Sequence, residues 1–156
     1  MKKYEFTGET KEIRLLFRTA TLHRIRATVA FGIVEVGDLG GWIEKEENLS
    51  HEGKAWVWGN AEVWGNAEVC GDAEVCGDAE VFSASHVLVI GAIGSRNDFT
   101  TFYRDKDNEI TVKCGCFLGK IDRFLEKVTQ THGDSKYALV YRAAVEVGKL
   151  QIDLSG

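Results

Sequence analysis

A six-residue period runs through the middle of this chain and constrains its fold more than any other feature. Residues 55–87 read AWVWGNAEVWGNAEVCGDAEVCGDAEVFSASHV, and we call this stretch the hexapeptide segment. Valine recurs at every sixth position: Val57, Val63, Val69, Val75, Val81 and Val87. A fixed internal period outranks local propensity and indicates a repeat architecture. Six residues are too few for a pair of helices, so the period predicts a β-solenoid built from short strands.

Strand alternation explains what each position of the unit does. Successive side chains of a strand point to opposite faces, so the alanine and valine of each unit should point inwards. The Gly-Asn or Gly-Asp pair that follows should form a corner, because these residues tolerate a positive φ and bond back to their own backbone. Coils should then stack with an offset of three units. The predicted stacked pairs are Val57 with Val75, Val63 with Val81, and Val69 with Val87.

The unit A-E-V-x-G-(N/D) resembles the hexapeptide repeat of left-handed parallel β-helix proteins. The sequence GDLGGWIEKEENLS, within residues 24–60, is similar to the opening of bacterial and phage members of that class that are often labelled acyltransferases. The resemblance implies a mainly β fold, in which a short left-handed parallel β-helix of about two to three coils begins with an irregular coil over residues 37–54.

Three segments follow from where the period begins and ends. Residues 1–33 alternate in polarity and predict a β-hairpin that caps the open end of the helix at residues 34–88. Residues 89–156 predict an α+β module of order βββαα, because two helical patterns follow three strand patterns. The apolar positions of these two helices are Ile121, Phe124, Leu125 and Val128, then Tyr137, Val140, Tyr141 and Ala144.

Aromatic side chains occupy outward positions of the hexapeptide segment. We expect these rings on the surface of the predicted tube: Trp56, Trp58, Trp64 and Phe82. Large exposed apolar patches mark contact sites, and tryptophan is enriched among interface anchors. Two alternatives stay open here. Either the flanking segments fold over the rings, or the rings form an interface with a partner or within a homo-oligomer, a dimer or trimer.

Charge is segregated along the chain, although the net charge is only −5. Residues 1–29 hold seven Lys/Arg and three Asp/Glu (+4), residues 30–86 two and twelve (−10), and residues 87–156 ten and nine (+1). An acidic central segment argues against nucleic acid as a partner. Its glutamates are interpreted as a solvated face that keeps strand edges soluble, or alternatively as a surface for a basic protein patch.

Composition also bears on compartment and cofactor. No run approaches the roughly 18 apolar residues of a membrane helix, and MKKYEFTGETKE lacks the apolar stretch of a signal peptide. We therefore expect a cytoplasmic protein that has no membrane partner. Its cysteines, Cys70, Cys76, Cys114 and Cys116, are predicted to be free thiols. The Cys-Gly-Cys spacing does not fit a zinc site, so we predict neither a metal nor a cofactor.

Two loops of the C-terminal module are candidates for ligand or partner binding. They supply cations, hydroxyls, an imidazole and a helix N-terminus, which suit an anionic group. Their residues are Ser95, Arg96, Asn97 and Asp98 in one loop, and His132, Asp134, Lys136 and Tyr137 in the other. The alternatives are a self-contained turn with an internal Arg96–Asp98 ion pair, and a helix C-cap at His132.

The motifs GSRND, CGCF and THGDSKY, in this order over residues 87–149, resemble a module of small phage and prophage proteins. Three functional hypotheses rest on the two resemblances and on the candidate loops. The first is a non-enzymatic binding protein that inhibits a host defence system by contact with a host protein, with the β-helix as a rigid scaffold. The second is a protein that sequesters a small nucleotide-like anion. The third is a hexapeptide-repeat acyltransferase that uses His51 or His86 as base.

Overall fold

The computed structural model describes residues 2–155 and shows a mainly β chain that ends in two helices. The strands are β1 (Tyr4–Arg14), β2 (Thr19–Ala27), β3 (Leu39–Ile43), β4 (Trp56–Val57), β5 (Glu62–Val63), β6 (Glu74–Val75), β7 (Glu80–Val81), β8 (Val87–Ile93), β9 (Asp98–Arg104), β10 (Ile110–Cys114) and β11 (Phe117–Lys120). The helices are α1 (Ile121–His132) and α2 (Lys136–Gln151), and short 3-10 turns span Glu46–Asn48 and Ala84–His86.

These strands form three sheets. A five-stranded mixed sheet has the order β1-β2-β3-β5-β7, and a four-stranded sheet has the order β11-β10-β9-β8. Strands β4 and β6 form the third sheet as a parallel pair. Antiparallel pairing joins β1 to β2 and β2 to β3, and it joins every neighbour in the four-stranded sheet.

The predicted fold class, a short left-handed parallel β-helix, is wrong. The two larger sheets are mixed and antiparallel, and parallel pairing is limited to β3-β5-β7, the two-stranded β4-β6 sheet and an isolated bridge between Leu49 and Val69. Each strand from β4 to β7 is only two residues long, so each parallel ladder in this segment is short. The 11-residue β1 and 9-residue β2 extend the same sheet by antiparallel pairing instead of covering the end of a tube.

The inward side chains of the repeat still build a common core. The alanines and valines of the hexapeptide segment are buried in one cluster from Ala55 to Val81, which also includes Tyr4 and Tyr103 from the flanking strands. The pairs Val57–Val75 and Val63–Val81 lie opposite each other, as the spacing predicts.

The third predicted stack, between Val69 and Val87, does not form. Val69 bridges to Leu49, whereas Val87 begins β8 and pairs with Tyr103 of β9 in an antiparallel register. The repeat structure therefore ends one six-residue unit earlier than the valine spacing predicts, because β8 belongs to the C-terminal sheet.

The outward rings Trp56 and Trp64 are covered by the N-terminal strands. Trp56 is 1% exposed and lies edge-on to Tyr4 and Phe31. Trp64 is 7% exposed; it stacks on Phe82 with ring centroids 4.9 Å apart and shares a cluster with Leu22 and Trp42. Intramolecular packing leaves neither ring accessible as an interface anchor, which corrects that part of the prediction. Trp58 and Phe82 are half-buried, and their interface role stays a prediction.

The C-terminal module has one strand more than the predicted βββαα order. Strand β11 leads directly into α1, which begins at Ile121. Both helices contribute to a core that is separate from that of the hexapeptide segment, and its buried residues include Phe102, Val112, Phe124, Val128, Tyr141 and Val145. Close packing is shown by Gly148 of α2, where an added Cβ would lie 2.9 Å from the ring of Phe102. This module carries the loops singled out in the sequence.

Candidate functional site

The loop of residues 94–98 is the tight connection between β8 and β9. Ile93 pairs with Asp98 across it, and the Asn97 N–H donates to the Gly94 carbonyl at 3.4 Å. Gly94 adopts φ +77° and Asn97 φ +49°, a left-handed geometry for which glycine and asparagine are suited. The turn holds Ser95, Arg96 and Asn97 exposed at its tip.

The second loop separates the two helices. Helix α1 ends at His132, and Gly133, with φ +58°, donates its N–H to the Thr129 carbonyl at 2.9 Å. Helix α2 begins three residues later at Lys136. The predicted C-cap position therefore belongs to Gly133, and His132 occupies the last helical position, where the helix dipole favours a cation.

The two loops meet at a cleft of about 190 Å³ in the C-terminal module. We call it the aromatic cleft. It includes Ser95, Arg96 and Asp98 from the first loop and His132 from the second. The remaining lining residues are Cys114, Gly115, Cys116, Phe117, Phe124, Lys127, Val128, Thr131 and Tyr141. The structure thus unites four of the eight predicted binding residues in one place.

The other four predicted residues lie outside the cleft lining. Asn97 faces a different cleft, and Asp134 and Lys136 are exposed in the connection between the helices. Asp134 approaches Arg142 at 3.8 Å. Tyr137 is 44% exposed, and its ring centroid lies 5.8 Å from that of His132, so it extends the aromatic surface beyond the cleft.

Aromatic rings form the floor of the cleft as a connected series. Phe117 lies 5.3 Å from Phe124, and Phe124 meets Tyr141 edge-on at 5.7 Å. Tyr141 in turn stacks on His132 with centroids 5.7 Å apart. Rings at these separations favour one another beyond the area they bury, so the floor is held in place by its own packing.

The rim of the cleft is cationic. Within residues 2–155, neither Arg96 nor Lys127 has a carboxylate within the 4.0 Å of an ion pair. The alternative of an internal Arg96–Asp98 pair is therefore not realised; Asp98 Oδ1 instead accepts the N–H of Phe99 at 2.7 Å. Exposed guanidinium and ammonium groups beside an apolar floor suit a ligand that is anionic at one end and apolar at the other.

Tyr141 connects the two halves of the cleft. An added Cβ at Gly94 would lie 1.9 Å from its hydroxyl oxygen, so the hydroxyl occupies the space that the missing side chain leaves. Burial, and then the nearby Cys114, raise the pKa of Tyr141. The hydroxyl therefore stays protonated at neutral pH. Because Thr100 Oγ1 donates to Cys114 Sγ at 3.3 Å, this thiol is part of the packing. All four cysteines are free, as predicted.

Several lining residues were missed as site residues by the sequence reasoning. Phe124 and Tyr141 were assigned only to helix cores, and Cys116 only to the predicted free thiols. Lys127 gave no signal, since one lysine on an amphipathic helix is ordinarily a solvated side chain. The sequence shows which face of α1 is apolar, but the position of that face against the 94–98 loop depends on the order of the strands.

The two histidines considered as catalytic bases both serve the packing. His51 Nδ1 accepts the Lys3 N–H at 3.0 Å, its Nε2 lies 2.8 Å from Glu46 Oε1, and its ring stacks on Tyr4. His86 is 1% exposed, and its Nδ1 accepts the Phe82 N–H at 3.2 Å. Neither imidazole lines the aromatic cleft.

Comparison with known proteins yields no family: no family model matches the chain, and no curated protein matches it either. In the part of the chain that the structure describes, no three His, Cys, Asp or Glu side chains are grouped so that they could hold a metal ion. None of the helices in that part is both long enough and apolar enough to cross a membrane.

Proposed function

We propose that this chain is a non-enzymatic binding protein, which acts by contact with another protein through the aromatic cleft. The observation that carries the proposal is the combination of an aromatic floor with two cations at its rim, Arg96 and Lys127, which have no carboxylate within 4.0 Å among residues 2–155. A partner segment with an acidic residue next to an apolar or aromatic one fits this arrangement. The apolar side chain occupies the floor, while the carboxylate meets the rim.

The size of the cleft favours a side chain over a whole cofactor. Small-molecule sites typically enclose about 300–1,000 Å³, and this cleft encloses about 190 Å³. Protein interfaces, in contrast, often depend on one anchor residue that fills a small pocket and is surrounded by weaker contacts. Tyr137, exposed beside His132, supplies such a surrounding contact.

The resemblance of GSRND, CGCF and THGDSKY to motifs of small phage and prophage proteins supports a finer proposal. In that setting the partner is a host protein, the place of action is the host cytoplasm, and the effect is inhibition of a host defence system. The engagement of His51 and His86 in packing supports a binding protein over an acyltransferase.

Capture from a bacterial host lysate, followed by mass spectrometry, tests the proposal. The wild-type chain is compared with Arg96→Ala and with a matched control, Arg14→Ala, which removes an exposed arginine from the N-terminal hairpin. We expect one protein to be enriched on the wild-type chain and on Arg14→Ala, and to be lost on Arg96→Ala. Calorimetry with the purified partner should show at least about a tenfold weaker affinity for Arg96→Ala, as for a lost charged hot spot.

A second candidate function is supported by the placement of Arg96 and His132 on the same cleft. These residues could hold the phosphate of a nucleotide-like anion whose base stacks on the aromatic floor. A thermal-shift panel of nucleotides and acyl-coenzyme A compounds distinguishes the two. Binding of the small anion raises the melting temperature, and Arg96→Ala abolishes the rise. An unchanged melting temperature across the panel favours the protein partner.

A further inference from the structure

A second and larger cleft, of about 380 Å³, lies between the 31–34 turn, the hexapeptide segment and residues 97–99, where β9 begins. We call it the acid–aromatic cleft. Three rings and three carboxylates line it: Phe31, Trp58, Phe99, Asp72, Glu74 and Asp98. One lysine, Lys54, is also part of the lining. Its volume falls within the range of small-molecule sites.

Backbone hydrogen bonds fix the walls of this cleft. The Trp58 N–H donates to the Val75 carbonyl at 2.8 Å, and the Glu74 N–H donates to Thr101 Oγ1 at 3.0 Å. On the other side, Phe31 and Val34 exchange two backbone hydrogen bonds of 3.0 and 2.8 Å. The rings and carboxylates are therefore attached to backbone that hydrogen bonds already fix. Ligand binding then has to order fewer groups, which lowers its entropic cost.

The carboxylates of the cleft are incompletely paired. Within residues 2–155, Asp72 and Asp98 have no cationic group within 4.0 Å, while Glu74 Oε2 lies 3.5 Å from Lys113 Nζ. The Lys54 N–H donates to the Gly71 carbonyl at 3.1 Å, which places Lys54 beside Asp72 on adjacent turns of the chain. Because Lys54 also lines the cleft, its positive charge would oppose the binding of an incoming cation.

We propose that the acid–aromatic cleft binds an organic cation, a guanidinium or alkylammonium group that lies over Trp58 and pairs with Asp72. Aromatic faces attract such cations, and a carboxylate accepts two N–H bonds from a guanidinium. A metal ion fits less well, since the described residues offer no cluster of three metal-binding side chains. The cation comes either from a free small molecule or from an arginine side chain of a protein.

This inference is independent of the proposed function, although Asp98 borders both clefts. Variants at Asp72 and Lys54 touch only the acid–aromatic cleft. The chain itself shows that Asp72→Asn is compatible with the fold. Gly71 precedes Asp72 with φ +63°, and the equivalent corners at Gly59-Asn60 and Gly65-Asn66 have φ +59° and +64° with asparagine in the same position.

An NMR titration at low salt, monitored by the indole N–H signal of Trp58, tests the inference. The probes are agmatine, a blocked Gly-Arg-Gly tripeptide, and the same tripeptide with uncharged citrulline in place of arginine. We expect a saturable shift with a cationic probe. Asp72→Asn should weaken binding at least about threefold, and Lys54→Gln should strengthen it.

Asp78→Asn is the matched control, because Gly77-Asp78 repeats the same corner one unit later and lies outside the cleft. It should leave the affinity unchanged. Binding of agmatine alone identifies a free small molecule as the ligand, and binding of the tripeptide identifies an arginine side chain. Equal shifts with the citrulline probe, an unchanged affinity for Asp72→Asn, or no shift of the Trp58 signal would each overturn the inference.

Discussion

The contact between Gly94 and Tyr141 is the single-residue feature that most directly maintains the aromatic cleft. Gly94 has φ +77°, and any Cβ there would lie 1.9 Å from the Tyr141 hydroxyl oxygen. Gly94→Ala should therefore strain the turn and displace the ring. We expect the free energy of unfolding, measured by urea titration, to fall by about 2–4 kcal/mol.

Gly115→Ala separates the steric effect from the backbone effect. Gly115 also has a positive φ, +57°, but an added Cβ there meets no atom within 4 Å. The loss should be about 1 kcal/mol, the ordinary cost of a left-handed non-glycine residue. Equal losses at the two glycines would show that Tyr141 does not fill the space above Gly94.

His86 makes stability depend on pH. Burial, and then the nearby Arg104 guanidinium, lower the pKa of His86 below its ordinary value. Below about pH 6.5 the unfolded chain binds a proton that the folded chain does not bind. The contribution of neutral His86 to the free energy of unfolding is therefore fully present above this pH, and it is lost as the pH falls through the pKa of His86 in the folded chain. In His86→Asn, which keeps an acceptor for the Phe82 N–H, urea titrations at pH 7.5 and 5.5 should show a smaller decline; an unchanged decline argues against this assignment.

At the level of secondary-structure elements, β2 packs against Trp42 of β3 and Trp64 of the hexapeptide segment. Leu22 is buried beside Trp42 and Trp64, whereas Thr21 on the opposite face of the strand is exposed. Leu22→Ala should cost about 2–5 kcal/mol in the free energy of unfolding and shift tryptophan emission to longer wavelength. Thr21→Ala should have little effect on either the free energy of unfolding or the emission wavelength. Similar effects of the two substitutions would mean that β2 does not pack on these rings.

The hexapeptide period predicted which side chains are buried better than it predicted how the strands pair into sheets. Side-chain alternation located the buried alanines and valines, and the three-unit offset located the pairs Val57–Val75 and Val63–Val81. The period carries no information on β1 and β2, which pair antiparallel with the same sheet, so the fold class inferred from it was wrong. Local pattern sets which face is buried, but the partner of a strand edge is decided by distant residues.

Local sequence pattern also predicted only part of the candidate site. Turn residues and a helix end identified Arg96 and His132, because glycine and asparagine mark such loops directly in the sequence. The floor of the cleft depends on how α1 and α2 pack against the four-stranded sheet. Lys127 and Cys116 reach the cleft only through that packing, and no local pattern distinguishes them from solvated residues.

In the molecule as a whole, the oppositely charged segments of the chain contact one another. Ion pairs join the basic N-terminal hairpin to the acidic centre, with Lys11–Glu62 and Arg18–Glu44 separations of 2.5 Å. The C-terminal sheet joins the same core through Tyr103, whose hydroxyl donates to the Cys76 carbonyl at 2.7 Å. These shared contacts indicate that the segments unfold together.

Two probes test this cooperativity without any substitution. All four tryptophans lie between residues 42 and 64, and both α-helices lie after residue 120. Tryptophan emission therefore reports the central segment, and circular dichroism at 222 nm reports the C-terminal helices. Their urea transitions should coincide. A midpoint difference larger than the fitting error would show that the C-terminal module unfolds as an independent unit.

Site-specific photo-crosslinking in bacterial cells gives the sharpest test of partner contact at the aromatic cleft. The crosslinker p-benzoylphenylalanine replaces either Tyr137, beside the cleft, or Phe17, an aromatic residue 94% exposed at the tip of the N-terminal hairpin. We expect a discrete adduct from position 137, which is lost in Arg96→Ala, and none from position 17. An adduct from position 17 alone, or one from position 137 that persists in Arg96→Ala, would contradict it.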